Sequence, residues 1–138
     1  MGIQCCPVPT SVFSNHTGFP VWFFDDYTCR MEAYLEKWKE LGLTFDTYLM
    51  DRQILTGFLG SEQQISIVKN MIKEFAGPDT LVIVDPIMGD HGKAYATYNE
   101  TMCRSMGGLV SMGQIVTPNL TEACLLTGRP YRKEGWGR

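Results

Sequence analysis

Apolar side chains along this chain alternate between two rhythms. Met31, Tyr34, Leu35, Trp38 and Leu41 recur at the three- and four-residue spacing of one helix face, which predicts a helix over residues 27–41. Gly42 offers the left-handed stop that helices favour. A second face, Ile65, Val68, Met71, Ile72 and Phe75, follows Ser61-Glu62-Gln63-Gln64. That tetrad has the form of a capping box, with Ser61 capping the first turn and the Gln64 amide able to reach back. Gly77-Pro78 ends the segment. A weaker helix is predicted over 99–106 and a last one over 119–126, capped by Gly128. Between these lie continuous apolar runs. Leu81-Val82-Ile83-Val84 is apolar at every position, as in a parallel strand covered by helices on both faces. Gln114-Ile115-Val116 is a shorter strand of the same kind. The apolar stretch 45–59, interrupted by Asp51-Arg52, predicts a strand ending near Thr56-Gly57. Residues 3–8, continued by Val12-Phe13, predict an edge strand before a loop at 14–18.

Strands alternating with helices imply right-handed βαβ units and a parallel sheet. In such sheets ligands sit beyond the carboxyl ends of the strands. That rule selects four loops: 14–18, 56–59, 85–90 and 117–122.

Composition narrows the function classes. The 138 residues fit a single domain, with 44% hydrophobic and 20% charged residues and a net charge of −3. No basic run supports nucleic-acid binding, and no apolar stretch approaches the ~18–20 residues of a membrane span. The expectation is a cytoplasmic protein, since the first residues show no charged segment followed by an apolar one. Met1-Gly2 is not followed by Ser or Thr at position six, so Cys5-Cys6 reads as part of a buried strand rather than a lipidation signal. The five cysteines are odd in number and include no C-x-x-C, so they predict neither a disulfide framework nor a zinc site, but small buried apolar residues. Three N-x-T sequences, at Asn15, Asn99 and Asn119, are read as chance matches or as serving other roles.

Three of the selected loops carry candidate chemistry. In Asp85-Pro86-Ile87-Met88-Gly89-Asp90 a buried strand delivers Asp85 at its carboxyl end. Pro86 keeps Asp85 out of the helical region, Gly89 permits a turn, and Asp90 adds a second carboxylate. Two acids there suit a hydrated cation or phosphate-bound Mg²⁺, which takes one or two carboxylates with water and phosphate; a simple turn-capping role for Asp85 is the alternative. Thr117-Pro118-Asn119-Leu120-Thr121-Glu122 opens a helix whose free N–H groups favour an anion. Asn119 with Glu122 three residues on is equally an N-cap pair. Phe13-Ser14-Asn15-His16-Thr17-Gly18 sets small polar groups beside aromatics and suits a heteroaromatic ring. Gly92-Lys93 lacks the spacing and the Ser/Thr of a Walker A loop, and Gly135-Trp136-Gly137 carries almost no weight.

Taken together, these segments resemble the pyridoxal kinase family of the ribokinase-like class. Residues 13–18 match its F-S-N-H-T-G segment. Asp85-Pro86-Ile87-Met88-Gly89-Asp90 with Gly92-Lys93 and Tyr95 matches D-P-x-M-G-D…G-K-x-Y, and Thr117-Pro118-Asn119-Leu120-Thr121-Glu122-Ala123 matches T-P-N-x-x-E-A. The resemblance implies a three-layer α-β-α fold with a mainly parallel sheet, incomplete here, so that 1–138 form a single partial domain. It implies transfer of the γ-phosphate of ATP to the 5′-hydroxymethyl group of pyridoxal, pyridoxine or pyridoxamine. Thr17 and Gly18, with His16 and Phe13 nearby, would line the pyridine pocket. Phe58 stands where many members carry Tyr in T-G-Y; it keeps the stacking face and lacks the hydroxyl. Asp85 and Asp90 would organise cations and ATP phosphates, Tyr95 would lie by the nucleotide, and Thr117, Asn119 and Glu122 would hold phosphates and Mg²⁺. A monovalent cation and a homodimer are further implications.

The sequence also departs from that pattern. It contains no G-x-G-D segment, whose amides and Asp supply the family's anion hole and general base. No counterpart of the family's first strand and covering loop is found, nor of its adenine-binding region, and residues 48–55 look like an insertion. The resemblance therefore implies little turnover by these residues alone, and apolar surface that promotes self-association. Two other readings stand beside the vitamin B6 kinase: a hydroxymethylpyrimidine kinase, which shares the phosphate machinery, and a catalytically inactive fragment.

Overall fold

The computed structural model describes residues 5–15, 19–43 and 53–132. A parallel sheet of three strands forms its centre: β3 (Gln53–Thr56), β4 (Leu81–Val84) and β7 (Ile115–Val116), in the order β3-β4-β7. Thr56 pairs with Val84 and Val84 with Val116, so the strands end level and their following loops emerge side by side. Helix α2 (Glu62–Phe75) connects β3 to β4, and α3 (Glu100–Val110) lies between β4 and β7. Two right-handed crossovers running in the same direction place both helices on one face. With α1 (Thr28–Glu40) against α2 and α4 (Leu120–Thr127) against α3, the four helices make one layer.

The core lies between that layer and the sheet. Helix α2 buries Ile65, Ile67, Val68, Met71, Ile72 and Phe75 against Ile54, Val82 and Val84 of the strands. Each such side chain stabilises the fold by roughly 1.5–3 kcal/mol relative to full exposure. Met31, Leu35 and Trp38 do the same for α1, the Trp38 ring lying edge-on to Phe75 at 5.8 Å. Gly42 at φ +61 and Gly128 at φ +68 stop α1 and α4 as their sequence positions predict.

Several expectations are corrected. The strands are covered on one face rather than two: Val82 and Val84 are buried, whereas Leu81 and Ile83 are half-buried and Leu55 is 70% exposed. The second helical layer of a three-layer fold is not among the described residues. Residues 5–8 form no strand, because Pro7 and Pro9 lack the N–H groups a ladder needs. Strand β1 is instead Ser11–Phe13, paired antiparallel with β2 (Phe24–Asp26), a strand without an apolar alternation to announce it. Cys124 is buried, but Cys5 and Cys29 are exposed and Cys6 and Cys103 half-buried. Helix α3 runs past Gly107-Gly108 to Val110, since Met102, Met106 and Leu109 continue its buried stripe. A Cβ on Gly108 would lie 2.9 Å from Lys69 Nζ of α2, so the glycine admits that side chain. Two of the N-x-T asparagines are helix caps: Asn99 and Asn119 accept from the amides of Met102 and Glu122. The suspected insertion at 48–55 lies mostly outside the described residues.

Candidate functional site

Two groups of side chains collect at the carboxyl ends of the parallel strands. The first is polar and built on β4 and β7. Asp85 follows β4 directly and Thr117 follows β7, and the Thr117 hydroxyl donates to Asp85 Oδ1 at 3.2 Å. Beyond Asp85 the chain turns into a hairpin of β5 (Gly89–Asp90) and β6 (Lys93–Ala94), with His91 at φ +49 and Gly92 at φ +79 at its tip. The Asp90 carboxylate accepts from the His91 amide at 2.7 Å, a local bond that makes the left-handed conformation tolerable for a non-glycine residue. A Cβ on Gly89 would overlap the Lys93 carbonyl, so the close pairing of this hairpin requires glycine there.

Helix α4 holds this hairpin in place. Asn119 and Glu122 form a reciprocal capping box, the Asn119 amide donating to Glu122 Oε2 at 2.7 Å and the Glu122 amide to Asn119 Oδ1 at 3.0 Å. Both side chains also reach outward. Glu122 Oε1 accepts from the Met88 amide at 3.2 Å, and Asn119 Nδ2 donates to the Gly89 carbonyl at 2.9 Å. The Gly92 amide donates to Thr121 Oγ1 at 2.9 Å. Glu122 is only 4% exposed, and each of its oxygens accepts from a backbone N–H. Its first task is to anchor the loop bearing Asp85 and Asp90. The N-cap pair expected at the helix start is formed.

Asp85 is half-buried and Asp90 exposed, so these two are the accessible carboxylates of the group. No cluster of three or more His, Cys, Asp or Glu suited to a metal occurs among the described residues. Two carboxylates do fit Mg²⁺ that arrives with phosphate and keeps its water, and do not fit a metal held by protein alone. Tyr95 is partly exposed beside them, its amide donating to the Met88 carbonyl at 2.9 Å. Its phenol is held above the ordinary value of 10.0, first by burial and then by the charges of Asp90 and Glu122.

The second group is aromatic and built on β1, β2 and the loop after β3. The Phe13 ring lies 4.9 Å from Phe24, 5.9 Å from Trp22 and 5.8 Å from Phe58, the last edge-on. Ser14 and Asn15 close the hairpin rather than face a ligand: the Phe23 amide donates to Ser14 Oγ at 2.8 Å and Asn15 Nδ2 to the Val21 carbonyl at 3.0 Å. His16, Thr17 and Gly18 lie outside the described residues. The structure thus brings Phe13 to Phe58 and Asp85 to Thr117, while Asn119 and Glu122 hold the Met88 and Gly89 backbone between Asp85 and Asp90.

Sequence reasoning missed the side chains behind both groups. The loop after β3 is held at three successive residues. Thr10 Oγ1 donates to the Phe58 carbonyl at 3.0 Å, Tyr98 Oη to the Leu59 carbonyl at 3.0 Å, and the Gly60 amide donates to Gln64 Oε1 at 2.7 Å. Ser61 does cap α2, but Gln64 accepts from Gly60 instead of completing the predicted box. No spacing rule announces the first two contacts, because each joins segments far apart in sequence.

A parallel α/β sheet with carboxylates and amides gathered at its carboxyl edge is an open α/β architecture, and its similarity to solved pyridoxal kinases places it in the ribokinase-like class. The chain belongs to the phosphomethylpyrimidine kinase family, whose pattern matches residues 44–135. It is similar to a Bacteroides thetaiotaomicron protein assigned as a phosphomethylpyrimidine kinase and solved with pyridoxal: TM-score 0.88, 40% identity, 97% of this chain and 45% of that one. The pyridoxal kinase of Lactobacillus plantarum superposes with a TM-score of 0.80 at 28% identity over 92% of this chain and 43% of that one. The pyridoxal kinase of Arabidopsis thaliana is 29% identical over 140 residues, covering 100% of this chain and 44% of that protein. The chain therefore spans less than half the length of these relatives.

Proposed function

We propose that residues 1–138 form a single partial domain of a pyridoxal kinase, carrying the vitamin-facing aromatic wall and the cation–phosphate end of the ATP site. The observation that carries this reading is the linked set Asp85, Thr117, Asn119 and Glu122 at the ends of β4 and β7. The pyridoxal bound in the Bacteroides relative supports the choice of substrate.

The reaction is ATP-dependent phosphorylation of the 5′-hydroxymethyl group of a vitamin B6 ring, in the cytoplasm, as a salvage route to pyridoxal phosphate. Phosphoryl transfer needs positioning and charge neutralisation more than covalent chemistry. Asp85 and Asp90 would hold Mg²⁺ arriving with ATP, and the metal would supply charge neutralisation. Asn119 and Glu122 fix the loop that presents those carboxylates. Thr117 keeps Asp85 oriented through its one hydroxyl proton, which a phosphate oxygen of bound ATP would take in its place, and Tyr95 lies beside the nucleotide. Phe13 and Phe58 give the pyridine ring an aromatic wall, and His16, Thr17 and Gly18 are assigned to the same ring by the resemblance alone. A monovalent cation near the phosphates and a homodimeric assembly of the whole enzyme belong to the same reading.

The family's own description favours one second reading, a kinase acting on hydroxymethylpyrimidine. Equilibrium titration of the purified chain separates the two. The expected result is pyridoxal binding in preference to hydroxymethylpyrimidine, and Mg²⁺·ATP binding that weakens about tenfold or more in Asp85→Ala while pyridoxal binding holds; tenfold corresponds to about 1.4 kcal/mol. Preference for the pyrimidine would replace this reading with the second. Mg²⁺·ATP binding unchanged in the variant would remove Asp85 from the site.

A further inference from the structure

Gln64 is fully buried on the first turn of α2, and its amide makes three hydrogen bonds, with the Asp26 carboxylate also beside it. Oε1 accepts from the Gly60 amide at 2.7 Å, while Nε2 donates to the Thr10 carbonyl and to Thr28 Oγ1, both at 2.8 Å. These partners lie in three separate segments. Gly60 ends the loop that carries Phe58, Thr10 precedes β1 and Phe13, and Thr28 begins α1. The Thr10 carbonyl also accepts from the Tyr27 amide at 3.0 Å, and the Thr10 hydroxyl donates to the Phe58 carbonyl at 3.0 Å. One side chain therefore closes a ring of hydrogen bonds between the backbone under Phe13 and the backbone under Phe58.

We propose that Gln64 is a positioning residue that holds Phe58 edge-on against Phe13 at 5.8 Å, and so sets the shape of the aromatic wall offered to a flat heteroaromatic ring. The inference deepens the vitamin B6 reading and rests on it for the identity of that ring. The physical case is that β1–β2 and the central sheet are separate sheets with no shared ladder. Nothing in strand pairing fixes the distance between the two rings. The Gln64 amide does so together with the Thr10 hydroxyl, and breaking its bonds would leave the Gly60 amide without its acceptor and the Thr10 carbonyl with the Tyr27 amide alone. Glutamine suits the position: one acceptor faces an N–H and two donors face two oxygens. Glutamate would supply the acceptor and no donor, and leucine neither.

The test compares the wild-type chain with Gln64→Leu and Gln64→Glu by backbone hydrogen exchange and by titration with pyridoxal and with Mg²⁺·ATP. In Gln64→Leu, residues 57–60 and 10–13 are expected to exchange faster together while Leu81–Val84 stays protected. Pyridoxal binding should weaken about tenfold with Mg²⁺·ATP binding unchanged. In Gln64→Glu at neutral pH the acceleration should centre on residues 10–13, whose donor is lost. Should Gln64→Leu fail to fold, Gln64→Glu carries the same comparison. Equal weakening of both ligands, or pyridoxal affinity unchanged in a folded variant, would overturn the inference. A wild-type chain that binds no pyridoxal sinks the vitamin B6 reading and the substrate half of the proposal; the paired exchange then decides alone whether the tie exists.

Discussion

At the scale of single residues, the side chains that shape the site are buried polar groups. Tyr98 shows the energetics. It is 6% exposed, and its hydroxyl donates to the Leu59 carbonyl beside Phe58. Burial pushes its phenol well above the ordinary 10.0, with smaller contributions from Cys103 and Glu122. The sign follows directly. The folded state favours the neutral phenol, so this stabilisation is fully present below pH 10 and is lost as pH rises above it toward the raised folded value. Tyr98→Phe should cost about 1–3 kcal/mol by stranding the Leu59 carbonyl. It should also flatten the stability-against-pH curve above pH 10, as measured by urea denaturation across that range. Phe13 stood out in the sequence as an aromatic beside small polar groups and Phe58 through the resemblance alone, and the structure brings their rings to 5.8 Å. Gln64 and Tyr98 were not legible, because an isolated polar residue shows its burial only when its partners are known.

At the scale of elements, the amphipathic helices were the most legible parts. The stripe Ile65, Val68, Met71, Ile72 and Phe75 is buried as its spacing predicts, because a helix face depends on neighbours three and four residues away. Strands β1 and β2 were misjudged because exposed pairing leaves no apolar alternation. The hairpin β5–β6 was seen only as a turn. It stays in place because α4 grips it through Glu122, Asn119 and Thr121. Glu122→Gln replaces one carboxylate oxygen by an NH₂ facing a backbone N–H. It should destabilise the chain by about 1–3 kcal/mol and loosen exchange in Gly89–Asp90, with α1 unaffected, in the same denaturation and exchange measurements.

At the scale of the whole molecule, the helices cover one side of the parallel sheet. The other side presents Leu55 and Ile115 at 70% and 43% exposure, with Leu81 and Ile83 half-buried between them. An apolar face flanked by the edge strands β3 and β7 favours association with any similar surface. Sedimentation velocity should show mass increasing with concentration. Leu55→Lys combined with Ile115→Lys should return the chain toward a monomer with little loss of stability, since neither side chain belongs to the buried core. A monomer at all concentrations in the wild type would refute this.

The sequence by itself determined the alternation of strand and helix, the parallel sheet it implies and the loops in which Asp85, Asp90, Thr117, Asn119 and Glu122 lie. These follow from spacing within one segment and from the handedness of βαβ connections. Only the tertiary structure decided that Glu122 spends its carboxylate on Met88 and Asn119, that among the described residues the helices cover one face of the sheet, and that Gln64 joins three segments through a single amide. The reason is physical. Periodicity records which side of an element is apolar, whereas a buried hydrogen bond depends on where two distant segments meet, and no local pattern encodes that distance.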